Sequence, residues 1–253
     1  MNHRDRSAGI GPPNKGGQGV RVAVLDSGIN VLHSHVREVA GGVHVRRHGD
    51  GSLEFDPDFR DLLGHGTAVA GVIRAKAPEV ELYAVRVFDR ELRTQAAVVA
   101  AAIRWALEHG LHAVNISLGT ERAEHREVLQ DACNEAIGRG MVLVAAAGDE
   151  EREWFPASFA NVIAVAGDQR CAWDEHFYCP DEAVPFRAHP SPCPLPGRPQ
   201  SFNLQGHSFA AAHITARVAR ILEEKPQARH EEIVEFLIAQ ATPMEEAAAR
   251  FEA

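Results

Sequence analysis

The 253-residue sequence predicts an α/β fold of three layers, with helices on both faces of a central, mostly parallel sheet. Three observations carry that expectation. Short apolar runs recur at residues 20–25, 80–88, 113–117, 141–146 and 162–166. Segments with helical spacing lie between them at 65–75, 94–109 and 124–138, and strands that alternate with helices pair in parallel through crossovers. Runs such as Val22-Ala23-Val24-Leu25 are apolar at every position, as strands covered on both faces are.

Taken in order, residues 1–19 are polar and rich in Gly and Pro, and read as a flexible lead-in. They contain no apolar core of the kind a secretory signal needs. Residues 20–253 read as one domain without an internal repeat or linker. The first strand, 20–25, runs into Asp26-Ser27-Gly28, a carboxylate followed by a turn. Residues 30–61 are a long excursion carrying His33, His35, His44 and His48, whose spacing forms no tight metal set and suits surface or strand positions. A helix follows at 65–75, then an alternating strand at 80–88. Thr94 reads as the cap and Gly110 as the stop of the next helix. Strand 113–117, helix 124–138 and strands 141–146 and 162–166 complete the alternation. Between 167 and 205 periodicity fails. The segment holds Trp173, Phe177 and Tyr178 and a run of prolines from Pro185 to Pro199, and proline breaks helix and sheet ladders alike. An ordered loop or extended surface arm is expected there. A helix from about Ser208 to 222, another over 229–240 and an Ala/Glu-rich tail close the chain.

Three stretches carry chemistry. Gly206-His207-Ser208-Phe209-Ala210-Ala211-Ala212-His213 places one serine among small residues at a helix start. Its hydroxyl is accessible, and the free backbone N–H groups beside it can bind a developing anion. Alone, it would be read as a helix cap. Upstream, the strand Val22-Ala23-Val24-Leu25 ends in Asp26, and Gly64-His65-Gly66-Thr67-Ala68-Val69-Ala70-Gly71 sets a histidine at the start of a small-residue helix. Asp, His and Ser follow in that order, each at an element end, where α/β folds place their chemistry. In these three blocks the chain resembles the subtilisin-like serine proteases (subtilases, peptidase S8), over about residues 20–222. The resemblance implies a subtilisin-like fold and a serine endopeptidase working through an acyl-enzyme. Ser208 would be the nucleophile, His65 its base, and Asp26 the group that orients the imidazole.

The resemblance also locates departures. Within Val144-Ala145-Ala146-Ala147-Gly148-Asp149-Glu150, Asp149 stands where the family has an asparagine that donates to the oxyanion. An ionised carboxylate cannot donate. Losing that donor costs roughly 10²–10³ in turnover, a figure measured on subtilisin itself. Burial and the tetrahedral anion together would keep Asp149 protonated and donating, and a few kexin-like relatives also have Asp here. The Ser208 backbone N–H remains as the second donor. His207, Ala212 and Ala68 replace the family's usual threonine, proline and second histidine. His207 is expected either beside the leaving group or pointing to solvent.

Ser117-Leu118-Gly119, preceded by Asn115, resembles the segment on which the family lays its substrate as an added strand. The opposite edge is expected near Leu92-Arg93-Thr94, bulkier than the family's glycines and so a narrower cleft. The pocket for the residue before the scissile bond would lie between residues 117–119 and a wall running from Gly148 through Glu150 and Trp154 to Pro156. Glu150, Glu151 and Glu153 suggest a basic residue there. Trp154 suggests a small one. Both readings stay open.

Composition sets the remaining bounds. A net charge of −9 argues against nucleic acid and anionic membranes as partners, and no stretch has the length of a membrane span. The expected partner is a peptide or protein substrate; the oligomeric state is open. Cys133 reads as a buried helix thiol. Cys171, Cys179 and Cys193 lie near His176 and His189, but their spacing fits no usual zinc finger, so they read as unpaired thiols of unassigned role. No metal ligand or required cofactor is read. Family members often hold structural calcium through backbone carbonyls, which leave little sequence trace. With Met1 as the natural start, no propeptide precedes the first strand and the protein is expected in the cytoplasm, as a selective processing enzyme, for instance of a ribosomal peptide precursor. The alternative is a catalytically weak or inactive pseudoprotease that binds a peptide or partner protein.

Overall fold

In a computed structural model, which describes residues 15–148 and 152–244, β1 (Arg21–Asp26) occupies the middle of the molecule. It pairs in parallel with β4 (Glu81–Arg86) on one side and β5 (Ala113–Ile116) on the other. β2 (Gly41–Arg47) extends the sheet beyond β4, and β3 (Leu53–Asp56) closes that edge antiparallel. On the other side follow β6 (Val142–Ala146), β7 (Ile163–Gly167), β9 (Phe186–Ala188) and β8 (His176–Tyr178). The order among the described residues is β3-β2-β4-β1-β5-β6-β7-β9-β8, parallel except for its two outermost pairs.

Side chains alternate across a strand, and each face of this sheet has its own core. Val22 and Val24 point into one, shared with α1 (His65–Lys76), α4 (His207–Glu224) and α5 (His230–Ala239). Ala23 and Leu25 point into the other, beneath α2 (Ala96–Glu108) and α3 (Arg126–Gly138). Burial on both sides is why β1 is apolar at every position. α1 and α4 therefore lie side by side on one face, and their first turns emerge together at the carboxyl edge of the sheet.

The structure corrects several expectations. Thr94 does not cap α2: the helix begins at Ala96, with Gln95 as its N-cap and no side-chain capping bond. A short 3-10 turn, Ala123–His125, precedes α3. The excursion over 30–61 contains β2 and β3, where Arg46 bridges Glu54 and Asp56 across the hairpin at 2.9 and 2.7 Å. Gly41 and Gly42 weaken its strand signal. The segment over 167–205 is not a surface arm. Its proline-free pieces, His176–Tyr178 and Phe186–Ala188, add β8 and β9 to the sheet. Of the four histidines at 33–48, His44 sits buried in β2 and His48 is exposed beside Glu54.

All four cysteines are free thiols. Burial pushes Cys133 and Cys171 up to about 12 and raises Cys179 and Cys193. The Cys193 thiol donates to the Gly71 carbonyl at 3.4 Å, and that of Cys171 to Arg187 at 3.5 Å. They are packing groups rather than thiolates.

His176 and His213 are buried on the α4 face. His176 Nε2 donates to the Leu237 carbonyl of α5 at 2.8 Å. Burial and the nearby Arg217 pull its pKa down to about 4, and burial and Lys76 hold His213 well below the ordinary imidazole value. Both are neutral in the fold, whereas the unfolded chain takes up protons near pH 6.5. Stability is therefore full above that pH. For His176 it falls as the pH drops from about 6.5 toward 4, by on the order of 1 kcal/mol per pH unit, and His213 adds a loss in the same direction. Urea unfolding between pH 8 and 4.5 reads this slope, and His176→Asn is expected to flatten it while lowering stability at pH 8.

Candidate active site

Asp26 ends β1 with no solvent exposure. One carboxylate oxygen, Oδ1, accepts from the Ser27 backbone N–H at 2.7 Å. His65 Nδ1 lies 2.8 Å from Oδ1 and 2.9 Å from Oδ2. A carboxylate can only accept, so Nδ1 carries the proton and Nε2 is left as the basic nitrogen.

His65 is the first residue of α1, and a second carboxylate fixes where that helix begins. Asp61 Oδ1 accepts from the Ser27 hydroxyl (2.9 Å) and from the backbone of Leu63 and Gly64 (2.9 and 2.8 Å). Its Oδ2 accepts from the Thr67 backbone and hydroxyl at 2.9 and 2.5 Å. The Ser27 hydroxyl in turn accepts from Gly66 N–H at 2.9 Å. Gly66 has to be glycine: a Cβ there would lie 2.3 Å from the Gly28 carbonyl oxygen, so α1 sits directly on the turn after Asp26. Neither Asp61 nor Ser27 was singled out above. The available signal was an acidic residue a few positions before a helix that starts Gly64-His65-Gly66-Thr67.

Burial pulls the His65 pKa down. The Asp26 charge and hydrogen bond, with Asp61 behind them, outweigh it, and the net shift is upward. Phe209 packs on the imidazole with ring centroids 5.3 Å apart. Ser208, the residue before it, lies in the first turn of α4. Its hydroxyl donates to the Ser117 carbonyl at 3.2 Å. The structure thus brings all three predicted residues to one edge of the sheet, Asp26 and His65 in direct contact, with the Ser208 hydroxyl resting on the cleft wall.

That wall is tied to α4 by a buried polar chain. Thr215 Oγ1 donates to Asn115 Oδ1 at 2.9 Å, and Asn115 Nδ2 donates to Ser117 Oγ at 2.7 Å. His207 Nδ1 accepts from Gly167 N–H at 2.9 Å, which fastens the start of α4 to the end of β7. Leu118 and Gly119 line a cavity of about 550 Å³ whose other side holds Leu92, Arg93 and Thr94. Trp154 lies against both Gly119 and Gly148. Asp149, Glu150 and Glu151 lie outside the described residues. Among the described residues no cluster of three or more His, Cys, Asp or Glu is arranged to hold a metal, and no helix is long and apolar enough to cross a membrane.

The Subtilase family (peptidase S8) matches residues 17–252, and the chain belongs to it. Similar curated proteins include a thermostable alkaline protease of Halalkalibacterium halodurans, 39% identical over 59% of this chain and 42% of that protein. Alkaline elastase YaB of a Bacillus species is 33% identical over 83% of this chain and 56% of its own length. Subtilisin BL of Lederbergia lenta is 33% identical over 83% of this chain and 78% of its own. The chain therefore spans only about half the length of the first two. Among solved structures, a protease of Pseudoalteromonas arctica shares the fold, with a TM-score of 0.74 and 22% identity over 90% of this chain and 85% of that one. A lanthipeptide protease shares it at 0.66 and 20% identity, over 85% of this chain and 77% of that one.

The Asp61 network predicts a separable phenotype. Asp61→Asn removes an acceptor from the start of α1 and a negative charge from His65. Stability in urea is expected to fall by roughly 1–3 kcal/mol. The acid limb of the pH–rate profile is expected to move to lower pH in the same variant.

Proposed function

We propose that this chain is a serine endopeptidase in which Ser208 attacks the scissile carbonyl, His65 is general base and acid, and Asp26 orients His65. The observation that carries this reading is the buried Asp26–His65 pair, with Nε2 left basic, beside the Ser208 turn. A peptide laid along Ser117, Leu118 and Gly119 as an added strand competes for the Ser117 carbonyl and frees the Ser208 hydroxyl to turn to His65. The Ser208 Oγ–H proton passes to Nε2 as Oγ bonds to the carbonyl carbon. The resulting oxyanion faces the Ser208 N–H at the start of α4. His65 then protonates the leaving amine, and water hydrolyses the acyl-enzyme by the reverse proton path.

The cleft favours a selective, processing enzyme over a scavenging one. Leu92, Arg93 and Thr94 line one edge, and Trp154 lies against Gly119 of the other. One fold neighbour is a lanthipeptide protease. Cleavage of a single ribosomal peptide precursor is the substrate class this reading assigns, and broad digestion of unfolded casein would remove it.

The base works when neutral, and its pKa is raised. kcat/KM is therefore expected to climb with pH through a midpoint above 6.5, the ordinary imidazole value. Asp26→Asn is expected to lower kcat by about 10⁴. Fluorophosphonate labelling across pH 5 to 9 is expected for the native chain and to vanish in Ser208→Ala.

A second reading, a pseudoprotease that binds peptides without cutting, draws on one feature of the sequence: Asp149 stands where the resemblance places the family's oxyanion-donating asparagine. It predicts no labelling at any pH. For the working enzyme, Asp149→Asn is expected to speed peptide hydrolysis, up to about 10²-fold.

A further inference from the structure

We propose that the indole of Trp154 fills the pocket for the residue before the scissile bond, so that the cleft accepts glycine or alanine there and rejects larger side chains. This deepens the endopeptidase reading and rests on it for the direction of the bound peptide.

The ring's position is fixed by two bare stretches of backbone. A Cβ built on Gly119 would lie 2.1 Å from Trp154 Nε1 and 2.5 Å from Cδ1. One built on Gly148 would lie 2.2 Å from Cδ2 and 2.5 Å from Cε3. The pyrrole edge therefore rests on one pocket wall and the ring-fusion side on the other. The indole spans the gap between residues 117–119 and Gly148, at distances that only glycine permits. A substrate side chain entering between those walls meets the ring, and only a hydrogen or a methyl group leaves it in place.

The ring is held from behind. The Trp154 backbone N–H donates to Ser158 Oγ at 2.7 Å, and its carbonyl accepts from Ser158 N–H at 2.9 Å. Phe155, the next residue, is buried and exchanges two backbone hydrogen bonds with Thr120, at 2.8 and 2.9 Å. The wall and the segment carrying the ring are thus one hydrogen-bonded unit.

Among the described residues, Glu153 gives a basic side chain no help. Glu153 is 65% exposed, and its carboxylate lies 3.7 Å from Arg126. Arg126 itself stands over the Phe155 ring, 5.4 Å from its centroid. That glutamate faces the outer surface of α3, where its charge is already matched.

The test uses the full chain and two readouts. The first is binding of product peptides ending in Ala, Leu, Phe or Arg to Ser208→Ala, which needs no turnover. The second is kcat/KM on matched substrates with the unsubstituted chain. Ala-ended peptides are expected to bind at least about tenfold more tightly than Phe-, Leu- or Arg-ended ones, a discrimination typical of an apolar pocket. Adding Trp154→Ala should erase or invert that order, with Trp154→Phe intermediate. The intermediate variant also keeps the test decisive if the alanine variant does not fold. Equal binding of Ala- and Phe-ended peptides to Ser208→Ala, or equal kcat/KM on their substrates, overturns the proposal while leaving the serine-protease reading intact. A preserved Ala preference in binding with no hydrolysis by the unsubstituted chain does the opposite: it supports the pocket and removes the protease.

Discussion

A carboxylate with no access to water stands at the end of the central strand, and much of the structure answers to it. Burying an ionised group without partners costs several kcal/mol. Asp26 finds its donors in the Ser27 N–H and the His65 imidazole, and the second of these belongs to a different element. α1 must therefore begin within hydrogen-bond reach of the tip of β1. Gly66 lets it come that close, and Asp61 sets where its first turn starts. Asp61 reaches both sides of the junction, through Ser27 on the strand and Thr67 on the helix. The same satisfied network that makes the buried charge tolerable leaves the far nitrogen of His65 basic.

The second half of the site is set by a different network. α4 packs on four consecutive strands and lies alongside α1, and it is fastened at two points, one in its middle and one at its start. Thr215 reaches Asn115 inside the fold, and His207 takes the Gly167 N–H at the rim. Phe209 then packs on the His65 ring at a tilt of 47°, which ties the imidazole to α4. Sites built on helix starts and strand ends, each supported by a second layer of hydrogen bonds, hold their geometry better than sites carried on loops. Here Asp26, His65 and Ser208 come from such positions, whereas Leu92 and Arg93, which line the cleft, and Trp154, which lies against Gly119 and Gly148, come from connections between elements.

The division between what was legible in the sequence and what was not follows this same line. The strand and helix alternation, the three-layer architecture and the placing of Asp26, His65 and Ser208 at element ends were readable. Each has a local pattern: continuous apolar strands, or small residues clustered about one polar group. Asp61 was not, because an aspartate before a helix looks like any turn residue until the fold shows it bound to Ser27. The hairpin of β2 and β3 was hidden by Gly41 and Gly42, and β8 and β9 by the prolines between and after them. In each case sheet pairing overrode weak local propensity. Thr94 failed as a cap because Gln95 holds that place, an error of one position with no consequence for the site. His207 was expected beside the leaving group or in solvent, and instead fastens α4 to β7. Trp154 was noticed as bulky, but only the juxtaposition of Gly119 and Gly148 gives its ring a definite place.

The position of α4 in the chain has a consequence for biosynthesis. Asp26 and His65 emerge from the ribosome early, and the strands that separate them from Ser208 follow one by one. Ser208 joins them only when α4 packs beside α1 on the sheet, since its apolar face is the largest single contribution to that side of the core. A nascent chain therefore carries His65 and its carboxylate long before Ser208 can stand beside them. Assembly of that core around α4 and arrival of Ser208 at the site are one physical event.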